Sequence, residues 1–140
     1  MIGGALTLNL AEQMLIAAQQ RATELGVKVS VAVVDGGGHL TAFARMDGAE
    51  IAGPTLAVDK AFTAVAQSAS TADLAVLAAP GGPLFGLHAN GNGRYVIFAG
   101  GIPLRVNEVI IGGIGVSGAG IDEDLSCAEA GLQCFEYTLS

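Results

Sequence analysis

Tryptophan is absent from the 140-residue chain, and aromatic residues make up only 5% of it. A core without large rings must come from Ala, Val, Ile and Leu, which pack elements closely and leave few flat surfaces for stacking on a ligand. Bases are scarce too: four arginines and two lysines stand against 13 acidic residues, for a net charge of −7. Nucleic-acid binding draws most of its affinity from phosphate neutralisation by a basic face, and six scattered bases do not make one. The same deficit argues against an anionic membrane surface. No apolar run reaches the roughly 20 residues of a membrane span. No basic start followed by an apolar stretch marks an export signal, so a cytoplasmic location is the expectation.

Cysteine is limited to Cys127 and Cys134. On one helix they share a face but lie about 10.5 Å apart along the axis, beyond the roughly 7 Å that a disulfide bridges. Both are expected to be reduced. Two histidines 49 positions apart, His39 and His88, give no metal-ligand spacing. No Ser-His-Asp, paired-carboxylate or phosphate-loop pattern is found.

What is present is apolar: 51% of the residues are hydrophobic, enough for one sizeable core in a single domain spanning 1–140. Asn9 and Glu12 have the spacing of a helix cap, and Leu10, Met14, Ala17, Ala18 and Leu25 recur helically up to Gly26, predicting a helix over 9–25. Val27, Val29, Val31 and Val33 alternate with Lys28, Ser30 and Ala32. After the turn Asp35-Gly36-Gly37-Gly38, a second alternating run reaches Met46, so the two form a hairpin. Pro54 opens a helix to about Ser68. Its Val58, Ala61, Phe62 and Val65 make the expected buried stripe, with Lys60 pointing away from it. Ser70 and Asp73 cap a short helix through Ala78.

Residues 79–93 are rich in Gly, Pro and Asn and read as a long loop, more often functional than idle. Arg94–Ala99 reads as a third strand. Two more follow, joined by the turn Asn107-Glu108. The acids Asp122, Glu123 and Asp124 then start a last helix, with Leu125, Ala128, Leu132, Phe135 and Leu139 inward.

Five blocks carry a resemblance. They are Val33–Leu40 with its Asp-Gly-Gly-Gly turn, Arg45-Met46-Asp47-Gly48-Ala49, Lys60-Ala61-Phe62-Thr63-Ala64, Gly100-Gly101-Ile102-Pro103-Leu104, and Ile114–Gly118 followed by Asp122-Glu123 and Cys127–Gly131. In this order, over about residues 31–131, they resemble the GlcG/HbpS ("haem-degrading") family, which includes the C-terminal domain of PduO. The resemblance implies an α/β (α+β) fold of the profilin-like kind, a five-stranded antiparallel sheet flanked by helices. It also implies a homo-oligomer, an octamer in many members, and a small-molecule ligand. Several members bind haem, through a histidine near the first helix, and some are associated with degrading it. Residues 1–38 of this chain contain no histidine.

The residues themselves offer a further set of candidates. Arg45 could hold a carboxylate or phosphate in a bidentate fork, or pair with Asp47, Asp59 or Asp122. Lys60, in an Ala-rich helix, could act as base or nucleophile, and His88 in the 79–93 loop as acid or base. Gly100 and Gly101 could bring backbone N–H groups to a ligand. Arg45, Lys60, Gly100-Gly101 and the His88 loop are expected at one cleft, at an end of the sheet or a subunit interface. Two functions stay open: a binder of haem or another tetrapyrrole, and a small cofactor-independent enzyme acting on a carboxylate or carbonyl compound.

Overall fold

The first helix starts where Thr7 accepts a hydrogen bond from the Leu10 N–H at 3.1 Å, two residues before the expected Asn9 cap. The computed structural model describes residues 6–140. From this cap α1 runs Leu8–Leu25 and ends at Gly26 in the left-handed conformation (φ 73°). The hairpin β1 (Ser30–Asp35) and β2 (Leu40–Arg45) follows, then α2 (Gly53–Ala66) and the short α3 (Thr71–Leu77). Two short 3₁₀ turns occupy the 79–93 loop, and β3 (Gly101–Val106), β4 (Val109–Ser117) and α4 (Ile121–Leu139) complete the chain.

The sheet is antiparallel with order β2-β1-β4-β3. It has four strands among the described residues, not the expected five. Arg94–Ala99 stays outside it because Thr63 of α2 takes the backbone groups a neighbouring strand would have used. The Val96 N–H donates to Thr63 Oγ1 at 3.0 Å, and the Arg94 carbonyl lies 3.1 Å from the same oxygen. Arg94 also pairs with Asp59 at 2.9 Å, its guanidinium lies 3.7 Å from the centroid of the Phe62 ring, and Tyr95 stacks on that ring. The segment is a strap lying along α2.

Alternation along the strands assigns the two faces. Val29, Val31, Val33, Ile114 and Val116 point to one side, where α1 and α4 cover them with Met14, Ala18, Cys127, Ala128 and Phe135. This is the main apolar core. The other side carries Gly113 and Gly115 of β4 and Gly101 of β3, and α2 lies directly on it. A Cβ on Gly113 would come 2.7 Å from the Ala61 carbonyl, and one on Gly115 or Gly101 would collide with the carbonyl of Ala57 or Lys60. Only glycine lets backbone meet backbone so closely.

That approach overturns the expected orientation of α2. Its buried residues are Gly53, Ala57, Lys60, Ala61, Thr63 and Ala64, while Val58, Phe62 and Val65 are half-buried at the flanks. The smallest side chains face the glycines. Lys60, expected on the open side, lies on this sheet-facing stripe beside Gly115 and is wholly buried, its amine reaching the Val116 carbonyl of β4.

Both hairpin turns form where expected. Asp35 Oδ1 accepts from the N–H of Gly37 (2.9 Å) and His39 (3.0 Å), and these bonds, that of His39 foremost, hold its carboxyl below the usual range. Asn107 and Glu108 both have positive φ (50° and 69°), the two-residue turn that suits the twist of a hairpin.

Candidate functional site

Lys60 is the centre of the most unusual chemistry in the molecule. Its Nζ donates to the Val116 carbonyl at 2.8 Å and to Asp124 Oδ2 at 3.2 Å, and lies 5.0 Å from the centroid of the Phe98 ring. Lys60 is 0% exposed and Asp124 3%. Asp124 Oδ1 accepts from the Ala119 N–H at 2.9 Å, so the carboxylate closes the entry to α4 while reaching the amine carried by α2. The pair joins the two helical layers around the end of the sheet.

Burial works against the charge on both partners. Desolvation lowers the Lys60 pKa, opposed by the nearby carboxylates of Asp124 and Glu50. Desolvation raises that of Asp124, opposed by Lys60 and by backbone hydrogen bonds. Both shifts narrow the energy gap between the ion pair and the neutral amine with its carboxylic acid.

Gly100 and Gly101 do meet Lys60, as a socket. A side chain on Gly100, whose φ is +131°, would strike Lys60 Nζ at 2.7 Å. Two backbone groups of the turn are engaged within the fold: Gly100 O accepts from the Val116 N–H, and the Gly101 N–H donates to Thr71 Oγ1.

Arg45 lies at the same end of the sheet. It pairs in register with Ser30, which pairs on its other side with Ser117, so the three side chains share the α2 face. The Ser30 hydroxyl is buried against Gly53 with no hydrogen-bond partner among the described residues. The guanidinium folds back on its own turn, donating through Nε and Nη2 to the Ala49 carbonyl. Asp59, one of its expected partners, pairs with Arg94 instead.

His88 lies elsewhere. It sits exposed in the 79–93 loop, edge-on to the exposed Phe85 ring at 6.4 Å between centroids. His39 is the turn residue it was read as, with Nδ1 3.2 Å from Asp35 Oδ1. Both cysteines are free, as their spacing required.

Sequence reasoning missed Asp124 and Phe98. Asp124 was read only as one of three acids at a helix start. It lies on the stripe 124, 128, 131, 135 that the helix buries, which was the available signal. Phe98 had none, because its role follows from the strap's leaving the sheet.

A four-stranded antiparallel sheet with two helices on one face and a third, glycine-seated helix on the other defines the class. The chain belongs to the HbpS-like family: the family model "Haem degrading protein HbpS-like" matches residues 6–133. A 15.0 kDa Citrobacter freundii protein from the dhaT-dhaS intergenic region is 37% identical over 93% of this chain and 92% of its own length. The corrinoid adenosyltransferase PduO of Salmonella typhimurium is 37% identical over 91% of this chain, which spans only 38% of that relative.

Among solved structures, Klebsiella pneumoniae ORFY superposes with a TM-score of 0.91 at 37% identity, covering 94% of this chain and 90% of the other. The haem complex of PduOC gives 0.89 at 36% identity, covering 93% and 94%. HbpS gives 0.82 at 36% identity, covering 92% and 89%.

Proposed function

We propose that this chain is a small-ligand-binding protein of the HbpS type whose ligand is a tetrapyrrole, with haem as the form to test. The observation that carries the reading is the haem complex of a relative 36% identical over nearly the whole of both chains. The residues present bear on how iron would be held. Helix α1 contains no imidazole, and its Met14 is wholly buried in the core. Of the two imidazoles, His39 is held by Asp35, whereas the His88 side chain has no hydrogen-bond partner among the described residues and lies edge-on to the exposed Phe85 ring (62%). An accessible imidazole next to exposed apolar surface suits an iron porphyrin, and His88 is the residue assigned to the metal. Haem bound there would supply a redox-active iron.

Hemin titration tests this. A saturable Soret shift at one equivalent per chain is expected, abolished in His88→Ala and kept in His39→Ala. No saturable shift in the parent protein would overturn the reading. A shift that survives His88→Ala would move the ligand to another residue.

The same reading includes a homo-oligomer. Ile51 (96% exposed), Tyr137 (83%) and Val76 (75%) leave apolar surface that a second copy would cover. Light scattering should give a mass several times 14.0 kDa, and a monomer at micromolar concentration would end this part.

A further inference from the structure

A buried ion pair is a poor way to hold a fold together. Replacing one by apolar residues of similar volume is often neutral or stabilising. This protein nevertheless encloses its only lysine besides Lys28 against a carboxylate, between the Gly100 backbone and one aromatic ring at the surface. The ring belongs to Phe98, which is 37% exposed and sits in the strap that joins no strand. The strap's polar and aromatic anchors are at its start: Arg94 on Asp59, Tyr95 on Phe62, Val96 on Thr63. No side-chain hydrogen bond holds Ile97 or Phe98 among the described residues, and the chain is next tied at Gly100 and Gly101. Phe98 is thus the exposed residue between buried Val96 and Ala99, and its ring is the side chain a ligand would have to displace to reach the amine.

We propose that Lys60 is a reactive amine that condenses with the carbonyl carbon of a small aldehyde or ketone, with Asp124 moving the proton and the Phe98 ring covering the site. This stands independently of the tetrapyrrole reading. The pair reacts in its neutral form, a proton having passed from Nζ to Asp124 across their 3.2 Å contact. The Nζ lone pair forms a C–N bond as the carbonyl π electrons move to oxygen. Asp124 protonates that oxygen and takes a proton back from nitrogen, giving a carbinolamine. The C–O bond then breaks, and the oxygen leaves as water with the proton Asp124 returns. The product is a protonated imine on Lys60, with the Asp124 carboxylate as its counter-ion. No oxidant or reductant is needed. An apolar tail on the ligand would take the place of the Phe98 ring and keep the site dry. Glu50, the other carboxylate whose field reaches Lys60, favours the protonated imine as well.

The two lysines allow a test inside one molecule. The intact protein is incubated at pH 7 with butanal and cyanoborohydride, which fixes any imine, and the fragments are mapped by mass. Lys60, although buried, should be modified at least tenfold faster than the exposed Lys28. Lys28 reacting as fast or faster would overturn the proposal. Reaction through global unfolding cannot mimic the expected result, because it would leave Lys60 behind Lys28. Phe98→Ala should raise the Lys60 rate severalfold without changing Lys28, and Asp124→Asn should lower it about tenfold. An unchanged Lys60 rate in a folded Phe98→Ala protein would overturn the cover, and in a folded Asp124→Asn protein the proton transfer. The wild-type comparison decides by itself if a variant does not fold.

Discussion

The two faces of the sheet are built on opposite plans. Towards α1 and α4 the strands present valine and isoleucine, and the helices answer with Leu10, Met14, Leu15 and Phe135 in ordinary side-chain packing. Towards α2 they present Gly101, Gly113 and Gly115, and the helix answers with alanine and with its own backbone. The first face hides apolar area, and the one acid that α4 buries, Asp124, turns past the end of the sheet to Lys60. The second hides Lys60, the two threonines Thr63 and Thr71, and the Ser30 hydroxyl that has no partner among the described residues. Close backbone contact leaves little room for bulky apolar groups, so its specificity comes from polar groups placed one by one. The stabilising core thus lies on one side of the sheet and Lys60 on the other, with Asp124 reaching between them at its end.

Substitution at a glycine of the α2 face should break this contrast most severely. Gly115→Val drives a side chain into the Ala57 carbonyl, and neither backbone can withdraw. A loss above about 5 kcal/mol is expected, seen as the absence of a cooperative urea transition. Lys60→Met, which leaves Asp124 buried and unpaired, should cost roughly 3–5 kcal/mol by the same measurement. The double variant Lys60→Met/Asp124→Leu should recover most of that loss. If the double variant is no better than the single one, the pair holds the fold through more than its charge.

The α1/α4 face has its own weak point, at alkaline pH. Burial pushes the Cys127 thiol from 9.0 up to about 11. A raised pKa in the folded chain means stability fully present below 9.0 and lost as pH rises through 11. The loss approaches roughly 2.5 kcal/mol. Urea melts of the parent and Cys127→Ala at pH 8 and pH 11 should show the parent losing more. The smallest effect belongs to neither face. Glu108 holds a positive φ of 69°, and Glu108→Gly should stabilise the β3–β4 hairpin by about 0.5–1 kcal/mol, read as a small rise in Tm.

Features that depend on nearby residues were legible. The valine alternation of β1, the Asp35 turn, the Ser70 cap, the Asn107-Glu108 hairpin and the separation of the two cysteines all formed as read, whereas on α4 only Ala128 and Phe135 of the expected stripe are fully buried, with Asp124, Cys127 and Gly131 beside them. Arg94–Ala99 misled because its β-like composition meets Thr63, Asp59 and Phe62 of α2, over 30 residues earlier, before it meets a strand. Lys60 misled for a related reason. Large apolar residues at helical spacing normally mark the buried side, but a face of glycines admits only small ones, so Val58, Phe62 and Val65 move to the flanks.

By itself, then, the sequence determined the order of the elements, the antiparallel hairpins and the apolar face under α1 and α4. Those follow from the 2-residue and 3.6-residue periods and from turn chemistry, which act over a few positions. Tertiary structure alone decided that the sheet stops at four strands, that Lys60 lies inside, and that Asp124, 64 residues away, is its partner. Whether a charge is buried depends on what packs around it, and here that is the Val116 carbonyl, the Gly100 turn, Asp124 and the Phe98 ring, all remote from Lys60 in sequence.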